Sequence, residues 1–187
     1  MSDKARMTTH KVFLLPDYEK EGEYLTKMHS VGWKLERVSG FSQHFVKCEP
    51  ENVVYKLDYA ANTTNYPEYI KMFADYGWEH CGRVMGFDYF RRNADGLSEE
   101  EMEIFSDPQS KLDMMKRVIL TRMTPLLIIF FMGILPNMYM IVVNSMNWDR
   151  STLLFLAVLY LGVFALYVSI FIYCIRGFRK LKKKYTE

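Results

Sequence analysis

Two long uncharged stretches in the last third of the chain constrain its fold more than any other feature. Residues 124–143 form 20 positions without a formal charge, and residues 152–175 form another 24. Because an α-helix rises about 1.5 Å per residue, each stretch can cross a hydrocarbon core roughly 30 Å thick. Helices that are apolar on every face are rare in small soluble domains. We therefore predict a membrane hairpin, with transmembrane helices over 123–144 and 152–175 joined by an external loop over 145–151.

Basic residues on both sides of the hairpin predict its orientation. Four precede the first span and six lie in the tail 176–187, whereas the connecting loop carries only Arg150. Because Lys and Arg are retained on the cytoplasmic side of a membrane, we expect both termini in the cytosol. The six tail cations are also candidate contacts for lipid headgroups, since each can attract anionic lipid. They are Arg176, Arg179, Lys180, Lys182, Lys183 and Lys184.

The rest of the composition excludes several classes of protein. The formal net charge is only +2, so we expect no direct binding of nucleic acid. Three cysteines at unrelated spacings predict no disulfide framework. Residues 1–8 read as a polar N-terminal tail without the apolar segment of a signal peptide. We therefore expect a folded cytosolic domain over 9–94 and a helical connector over 95–122.

An internal repeat organises the predicted domain. Residues 24–33 match residues 69–78 at a constant offset of 45, and both segments end in Gly-Trp. After one inserted residue, residues 37–41 match residues 83–87. Similarity over this many positions indicates a duplicated structural unit.

Each copy of the repeat predicts the element order β-α-β-β. Residues 10–15 and 53–59 are short runs typical of strands, and a helix with an apolar stripe follows each of them. Gly32 and Gly77 are expected to end the helices, and Gly40 and Gly86 to form the turns of the hairpins that follow. The sequence thus predicts an α+β fold, in which the duplicated unit forms a six-stranded antiparallel sheet with two helices on one face.

Aromatic side chains are prominent in both copies, and two roles remain open for them. They can anchor the helices on the sheet, or they can line a cleft between the two halves. The strand order resembles that of gyrase-inhibitor-like effector-binding domains, which hold apolar ligands in such a cleft. The candidate residues for a ligand or partner cleft are Trp33, Tyr55, Asp58, Tyr59, Trp78, Phe87 and Tyr89.

The connector carries two signals for helix starts. Ser98 to Glu101 is a capping box that predicts a short helix, and Asp107 followed by Pro108 predicts the start of a second one. A rigid connector of this kind would carry motion from the domain to the membrane, and a plain tether is the alternative. Within the spans, Asn137 and the small pair Ala165 and Ser169 are expected to make helix–helix contacts.

The chain shows no recognisable catalytic motif. Its four histidines (His10, His29, His44 and His80) have no metal-ligand spacing, and no nucleophile elbow, phosphate-binding loop or paired Cys-x-x-Cys is present. We therefore expect a protein that is not an enzyme and that needs no cofactor or metal.

Several motifs in this order resemble a family of bacterial membrane proteins known as domain of unknown function 2812, over Lys11 to about Arg117. The motifs are Lys11-Val12-Phe13, Asp17-Tyr18-Glu19-Lys20-Glu21, Gly32-Trp33-Lys34-Leu35, Tyr55-Lys56-Leu57-Asp58-Tyr59, Gly77-Trp78-Glu79, Tyr89-Phe90-Arg91 and Glu103-Ile104-Phe105-Ser106-Asp107 followed by Ser110-Lys111. Members are commonly encoded beside PadR-like transcriptional regulators. The resemblance implies the bacterial cytoplasmic membrane and a shared regulatory circuit, and it implies no catalytic residues.

Two functions remain open at this point. In the first, the chain is a membrane-anchored regulatory or sensory protein whose cytosolic domain binds a PadR-like regulator or an apolar effector. In the second, it is an accessory subunit of a membrane complex such as an exporter, and it docks through its hairpin. The lipid bilayer is a partner in both, and a homodimer is compatible with either.

Overall fold

The computed structural model describes residues 5–60, 63–105, 107–143 and 148–186. These residues form two compact units, Met1–Met114 and Met115–Tyr185, which we call the N-terminal domain and the helical unit. Residues 1–4 of the predicted tail and 145–147 of the predicted external loop lie outside the described residues.

The N-terminal domain follows the predicted order β-α-β-β twice. Its elements are β1 (Arg6–Thr9), α1 (Tyr18–Ser30), β2 (Trp33–Ser39), β3 (Ser42–Lys47), β4 (Val53–Tyr59), α2 (Tyr66–Asp75), β5 (Glu79–Val84) and β6 (Phe87–Asn93). A short 3₁₀ turn, Leu15–Asp17, leads into α1.

The first strand lies earlier than predicted, at Arg6–Thr9 instead of 10–15. The ladder between β1 and β3 ends at Thr9, which pairs with Gln43. Beyond this point the Gln43 side chain hydrogen-bonds to the backbone of Lys11. Its oxygen accepts from the Lys11 N–H at 3.3 Å, and its nitrogen donates to the Lys11 carbonyl at 3.0 Å. Because a side chain satisfies these backbone groups, the chain leaves the sheet here.

The strands form two three-stranded antiparallel sheets, so the predicted single six-stranded sheet is wrong. The first sheet has the order β1-β3-β2 and the second has the order β4-β6-β5. Strands β2 and β5 contact each other but do not pair. Side chains of the second sheet hydrogen-bond to the β2 backbone at Leu35. The Leu35 N–H donates to the Tyr55 hydroxyl, and the Leu35 carbonyl accepts from the Arg91 guanidinium, both at 3.3 Å. These bonds replace the ladder that would have joined the sheets.

The two helices lie on opposite faces of the second sheet, so the prediction that they share one face is also wrong. On one face the Tyr89 hydroxyl donates to Glu21 of α1 at 3.0 Å. On the other the Tyr66 hydroxyl of α2 donates to Asp88 at 2.5 Å. Successive strand residues point to opposite faces, and the adjacent residues Asp88 and Tyr89 therefore meet different helices.

Helix α1 also covers the outer edge of β4. The Tyr55 N–H donates to the Thr26 hydroxyl at 2.9 Å. A Cβ atom on Gly22 would lie only 2.7 Å from the Tyr55 carbonyl oxygen, so only glycine allows this close approach. An edge that would otherwise expose unpaired backbone groups is thereby protected.

The duplication keeps one offset of 45 residues through both hairpins, and the predicted insertion is wrong. Leu35 pairs with Phe45 as His80 pairs with Phe90, and both hairpins contain a bulge just after the first member of these pairs. The glycines are displaced by one position because the turns differ. Gly40 has a positive φ at the first turn position, whereas Met85 and Gly86 both have a positive φ. These values fit a type II′ turn and a type I′ turn, which place glycine differently.

The connector is not helical at the predicted capping box. Ser98 and Glu101 do exchange the expected bonds, with the Ser98 N–H donating to the Glu101 carboxylate at 2.9 Å. They close only a turn, after which Ile104 packs against the core of Phe73, Trp78 and Phe90. Asp107 then caps the next helix by accepting from the Ser110 N–H at 2.9 Å, as predicted.

The helical unit contains two helices that are long and apolar enough to cross a membrane, Pro108–Val143 and Arg150–Tyr185. The first comprises α3 (Pro108–Val118), α4 (Thr124–Ile129) and α5 (Leu135–Val143), joined by π-helical segments at Ile119–Met123 and Phe130–Ile134. The second is α6 (Arg150–Thr186). Phe130 of the first contacts Phe164 and Tyr167 of the second, with ring centroids 5.6 and 5.5 Å apart. The most apolar window of each helix has no buried residue, as contact with lipid would require.

Candidate functional site

The structure does not gather the seven candidate cleft residues into one open cleft. Tyr55, Tyr59, Phe87 and Tyr89 are buried on the face of the second sheet that α1 covers. Trp78 belongs to the core on the α2 face, with Phe73 and Phe90. Asp58 lies on that same face, where its carboxylate accepts from the Tyr69 hydroxyl at 2.7 Å. Trp33 lies apart from both groups, half-buried beneath the Lys47 ammonium at 4.7 Å.

The aromatic residues at one end of the α1 face act as packing anchors. The Tyr59 and Phe87 rings meet edge to face with centroids 5.0 Å apart, and Tyr18 of α1 stacks on Phe87 at 6.3 Å. Gly86 is held against the Tyr59 ring, because a Cβ atom there would lie 2.7 Å from it. Aromatic contacts of this geometry stabilise a core beyond the area they bury.

The centre of this face contains a buried carboxylate. Glu21 is 8% exposed and accepts from the Tyr89 hydroxyl, and the Gln43 side chain also hydrogen-bonds to it. Burial raises the pKa of Glu21 above its usual value, and these two hydrogen bonds act in the opposite direction. Burial likewise raises the pKa of Tyr89, so this phenol stays protonated and keeps its role as donor.

The other end of the face is a polar junction between the two copies of the repeat. His29 of α1 is 2% exposed, and its Nδ1 lies 2.9 Å from the Tyr55 hydroxyl, which also accepts from the β2 backbone. Burial raises the pKa of Tyr55 to about 12. The His29 Nε2 lies 3.7 Å from a Glu51 oxygen and makes no hydrogen bond within the described residues. We call His29, Tyr55, Glu79 and Arg91 the junction cluster.

Arg91 and Glu79 complete the junction cluster through an ion pair on neighbouring strands. The Arg91 guanidinium donates to both Glu79 oxygens, with the Nε donor 2.7 Å from Oε2. These bonds hold the pKa of Glu79 below its usual value. A bidentate pair of this kind fixes orientation as well as charge. The junction cluster therefore connects α1, β2 and the second sheet in one arrangement.

The α2 face contains a separate polar cluster that the sequence did not reveal. Asp88 is fully buried and accepts from the Tyr66 hydroxyl, and the His80 Nε2 lies 3.0 Å from the same oxygen. Arg83 lies 3.8 Å from the other Asp88 oxygen and donates to the Ala60 carbonyl at 2.6 Å. Burial, followed by the bond to Asp88, raises the pKa of Tyr66 to about 12. The cluster fastens α2 to its sheet.

A third polar arrangement ties the second sheet to the connector. Glu103 accepts from Lys56 of β4 at 2.5 Å and from Lys111 of α3 at 2.7 Å, and we call these three residues the clasp. Burial alone would raise the pKa of Glu103, but the bonds from Lys111 and Lys56 lower it below its usual value. The Glu103 carboxylate is therefore ionised at neutral pH.

The six tail cations lie on the last turns of α6 and are all exposed. Cys174, Phe178 and Leu181 on the same helix are buried instead. This end of α6 is therefore amphipathic, with the cations on its exposed side, as contact with anionic headgroups would require.

No group of three or more His, Cys, Asp or Glu side chains able to hold a metal occurs among the described residues.

Comparison with known proteins identifies the family. No curated protein and no solved structure matches the chain. A family model described as "Protein of unknown function (DUF2812)" matches residues 17–131, which include both copies of the repeat except β1, the clasp and the start of the first long apolar helix. The chain therefore belongs to the DUF2812 family of proteins of unknown function.

Proposed function

We propose that the chain is a membrane-anchored regulatory or sensory protein. Its N-terminal domain faces the cytosol and binds a partner or an apolar effector, and the connector transmits the bound state to the membrane hairpin. The proposed partner is a PadR-like transcriptional regulator. The polar clusters of the domain are buried and serve packing, which favours binding over catalysis.

The clasp is the observation that carries this proposal. Glu103 bridges a strand of the second sheet and the first turn of the helix that continues to Val143. A plain tether would need no such contact, because exposed linkers impose little constraint on the domains they join. The three side chains are only partly exposed, at 28% for Lys56, 34% for Glu103 and 15% for Lys111. A charged bridge that is partly shielded from water is stronger than a surface pair.

The proposed orientation follows from the basic residues. The exposed cations at the end of α6 and the four basic residues between Lys111 and Arg122 flank the two apolar helices on the same side. Retention of Lys and Arg inside the cell supports the proposal that both termini lie in the cytosol. Protease added outside intact cells is expected to spare the N-terminal domain, and its digestion would contradict the orientation.

A pull-down from detergent-solubilised cells tests the proposed partner. The full chain is expected to recover a PadR-like regulator, and a matched chain in which the N-terminal domain is replaced by an unrelated soluble domain is not. Recovery of the regulator by both chains would assign binding to the hairpin. Repeated recovery of no regulator by the full chain would contradict the proposed partner.

The accessory-subunit alternative has less support from the hairpin itself. The Asn137 amide donates to the Gly133 carbonyl at 2.6 Å, and the Ser169 hydroxyl donates to the Ala165 carbonyl at 2.7 Å. Both bonds lie within one helix, so the hydrogen-bonding groups are satisfied there, and the expected contacts between helices stay predictions. Native-size analysis in detergent separates the two functions, because an accessory subunit elutes in a fixed large complex and the proposed regulator does not.

A further inference from the structure

Among the described residues, none covers one face of the first sheet, whereas α1 covers the equivalent face of the second sheet. Arg6 and Thr8 of β1 pair with Val46 and His44 of β3. Arg37 of β2 pairs with His44 from the other side. These five residues share one face of the sheet and are exposed or half-buried. We call it the open face.

The matching face of the second sheet is the one beneath α1. Tyr55 and Leu57 of β4 pair with Arg91 and Tyr89 of β6, just as Arg6 and Thr8 pair with Val46 and His44. All four residues of the second sheet are at most 9% exposed. The two faces are equivalent by descent from one repeat, but within the described part of the chain only the face of the second sheet is covered.

The open face contains a depression of about 400 Å³ whose lining is rich in hydrogen-bond donors. It is lined by Arg6, Met7, Thr8, Glu36, Arg37, His44 and Phe45. This volume lies within the range of small-molecule sites, about 300–1,000 Å³. Glu36 is the one carboxylate of the lining, and it lies 3.5 Å from the Arg6 guanidinium. Within the part of the chain that the structure describes, Arg37 pairs with no carboxylate.

The imidazole of His44 adds a further donor. Its Nδ1 lies 3.0 Å from the Thr8 hydroxyl, which can donate to it. When Nδ1 accepts this bond, the ring proton is on Nε2, and Nε2 then donates. Two guanidinium groups and an imidazole N–H around one concavity match the acceptor pattern of a phosphate or a carboxylate.

We propose that the open face binds a small soluble molecule through an oxyanion, either a phosphate or a carboxylate group. Arg37 provides the principal contact, because its guanidinium lacks the carboxylate partner that Arg6 has. Arg6 and the His44 imidazole complete the site. The binding site stands apart from the junction cluster and from the clasp, and it does not depend on the proposed regulator.

Equilibrium binding to the full chain in nanodiscs of zwitterionic lipid tests the site. The probes are inorganic phosphate and succinate, each compared with chloride at matched ionic strength. At least one probe is expected to bind the parent chain, and R37Q is expected to weaken its binding by about tenfold or more, since a charge-assisted bond is lost. K71Q on α2 is the matched control. It removes one exposed positive charge elsewhere in the same domain and is expected to change binding by less than about twofold.

Three results would overturn the proposal. The first is binding of neither phosphate nor succinate beyond chloride, and the second is an equal effect of R37Q and K71Q. The third is an interaction of the open face only with nanodiscs that contain anionic lipid, which would make it a membrane contact. Equal melting temperatures of the parent and R37Q show that lost binding is not lost folding, and R6Q supplies an independent second variant. None of these results bears on recovery of a PadR-like regulator.

Discussion

The two sheets of the N-terminal domain arise from one repeated sequence but have different surroundings. Both faces of the second sheet are covered, one by α1 and the other by α2. The first sheet packs only one face into the core, where Leu35 and Phe45 are at most 2% exposed, and leaves the face of Arg37 and His44 open. The second sheet is therefore buried on both faces and joined through the clasp to the first long apolar helix, whereas the first sheet presents the face for which we propose oxyanion binding.

The comparison also shows that equivalent positions in the two copies carry different hydrogen-bonding side chains. Glu21 of α1 and Gln43 of β3 hydrogen-bond to each other, and 45 residues later Tyr66 of α2 and Asp88 of β6 do the same. The bond between helix and central strand is kept, while the carboxylate has moved from the helix to the strand. A duplicated fold thus preserves the contact rather than the residue type.

The largest expected effect in this comparison is on stability, at the equivalent positions Tyr89 and His44. Y89A removes a buried ring and leaves the Glu21 carboxylate without its phenol donor, so we expect a loss of about 3–5 kcal/mol in the free energy of unfolding. H44A alters only the open face and is expected to cost less than about 1 kcal/mol. Chemical denaturation of both variants in detergent measures the difference. Equal losses would mean that the open face is covered in solution.

A smaller effect is expected on the pH dependence of stability, through His29 of the junction cluster. Burial lowers the pKa of His29 below its unfolded value of 6.5, so the folded state favours the neutral ring. Below 6.5 the unfolded chain binds a proton that the folded chain does not, and the stability that is fully present above 6.5 is lost as the pH falls.

The variant H29Q isolates this contribution. The melting temperature of the parent is expected to fall more steeply than that of H29Q as the pH is lowered from about 7 to about 5.5. Glu79, whose pKa is lowered by Arg91, contributes a loss only below its usual value of 4.5 and lies outside this window. S39A on the exposed end of β2 removes no titratable group, so it is the control and is expected to retain the slope of the parent. Parallel curves for the parent and H29Q would contradict the assignment.

Local sequence signals predicted the elements of this fold better than their assembly. Gly32 and Gly77 end the helices with φ values of 84° and 81°, and the hairpins lie where the turn glycines indicate. These features depend on the conformation of one or two residues. The separation into two sheets depends on hydrogen bonds from the Leu35 backbone to the Tyr55 and Arg91 side chains, which lie 20 and 56 residues away in the sequence. No local sequence pattern predicts such a contact.

The Glu79–Arg91 ion pair of the junction cluster was hard to predict for a related reason. A hairpin that continued the pairing of Val84 with Phe87 without interruption would place Glu79 opposite Arg92. The bulge between His80 and Gly82 shifts the register and brings Arg91 opposite Glu79 instead. A bulge reverses the facing of the residues beyond it, so a residue-by-residue count along the strands cannot find this ion pair. The clasp joins residues 47 positions apart and had no sequence signal either.

Hydrogen exchange of the full chain in nanodiscs tests most directly the claim that the second sheet, and not the first, is joined to the first long apolar helix. E103Q removes the charge that holds Lys56 and Lys111, and E100Q removes an exposed charge from the same connector. We predict faster exchange in β4 and the first turns of α3 for E103Q alone, with no change in β1, β2 or β3. Identical exchange in E103Q and E100Q, or faster exchange spread equally over both sheets, would contradict it.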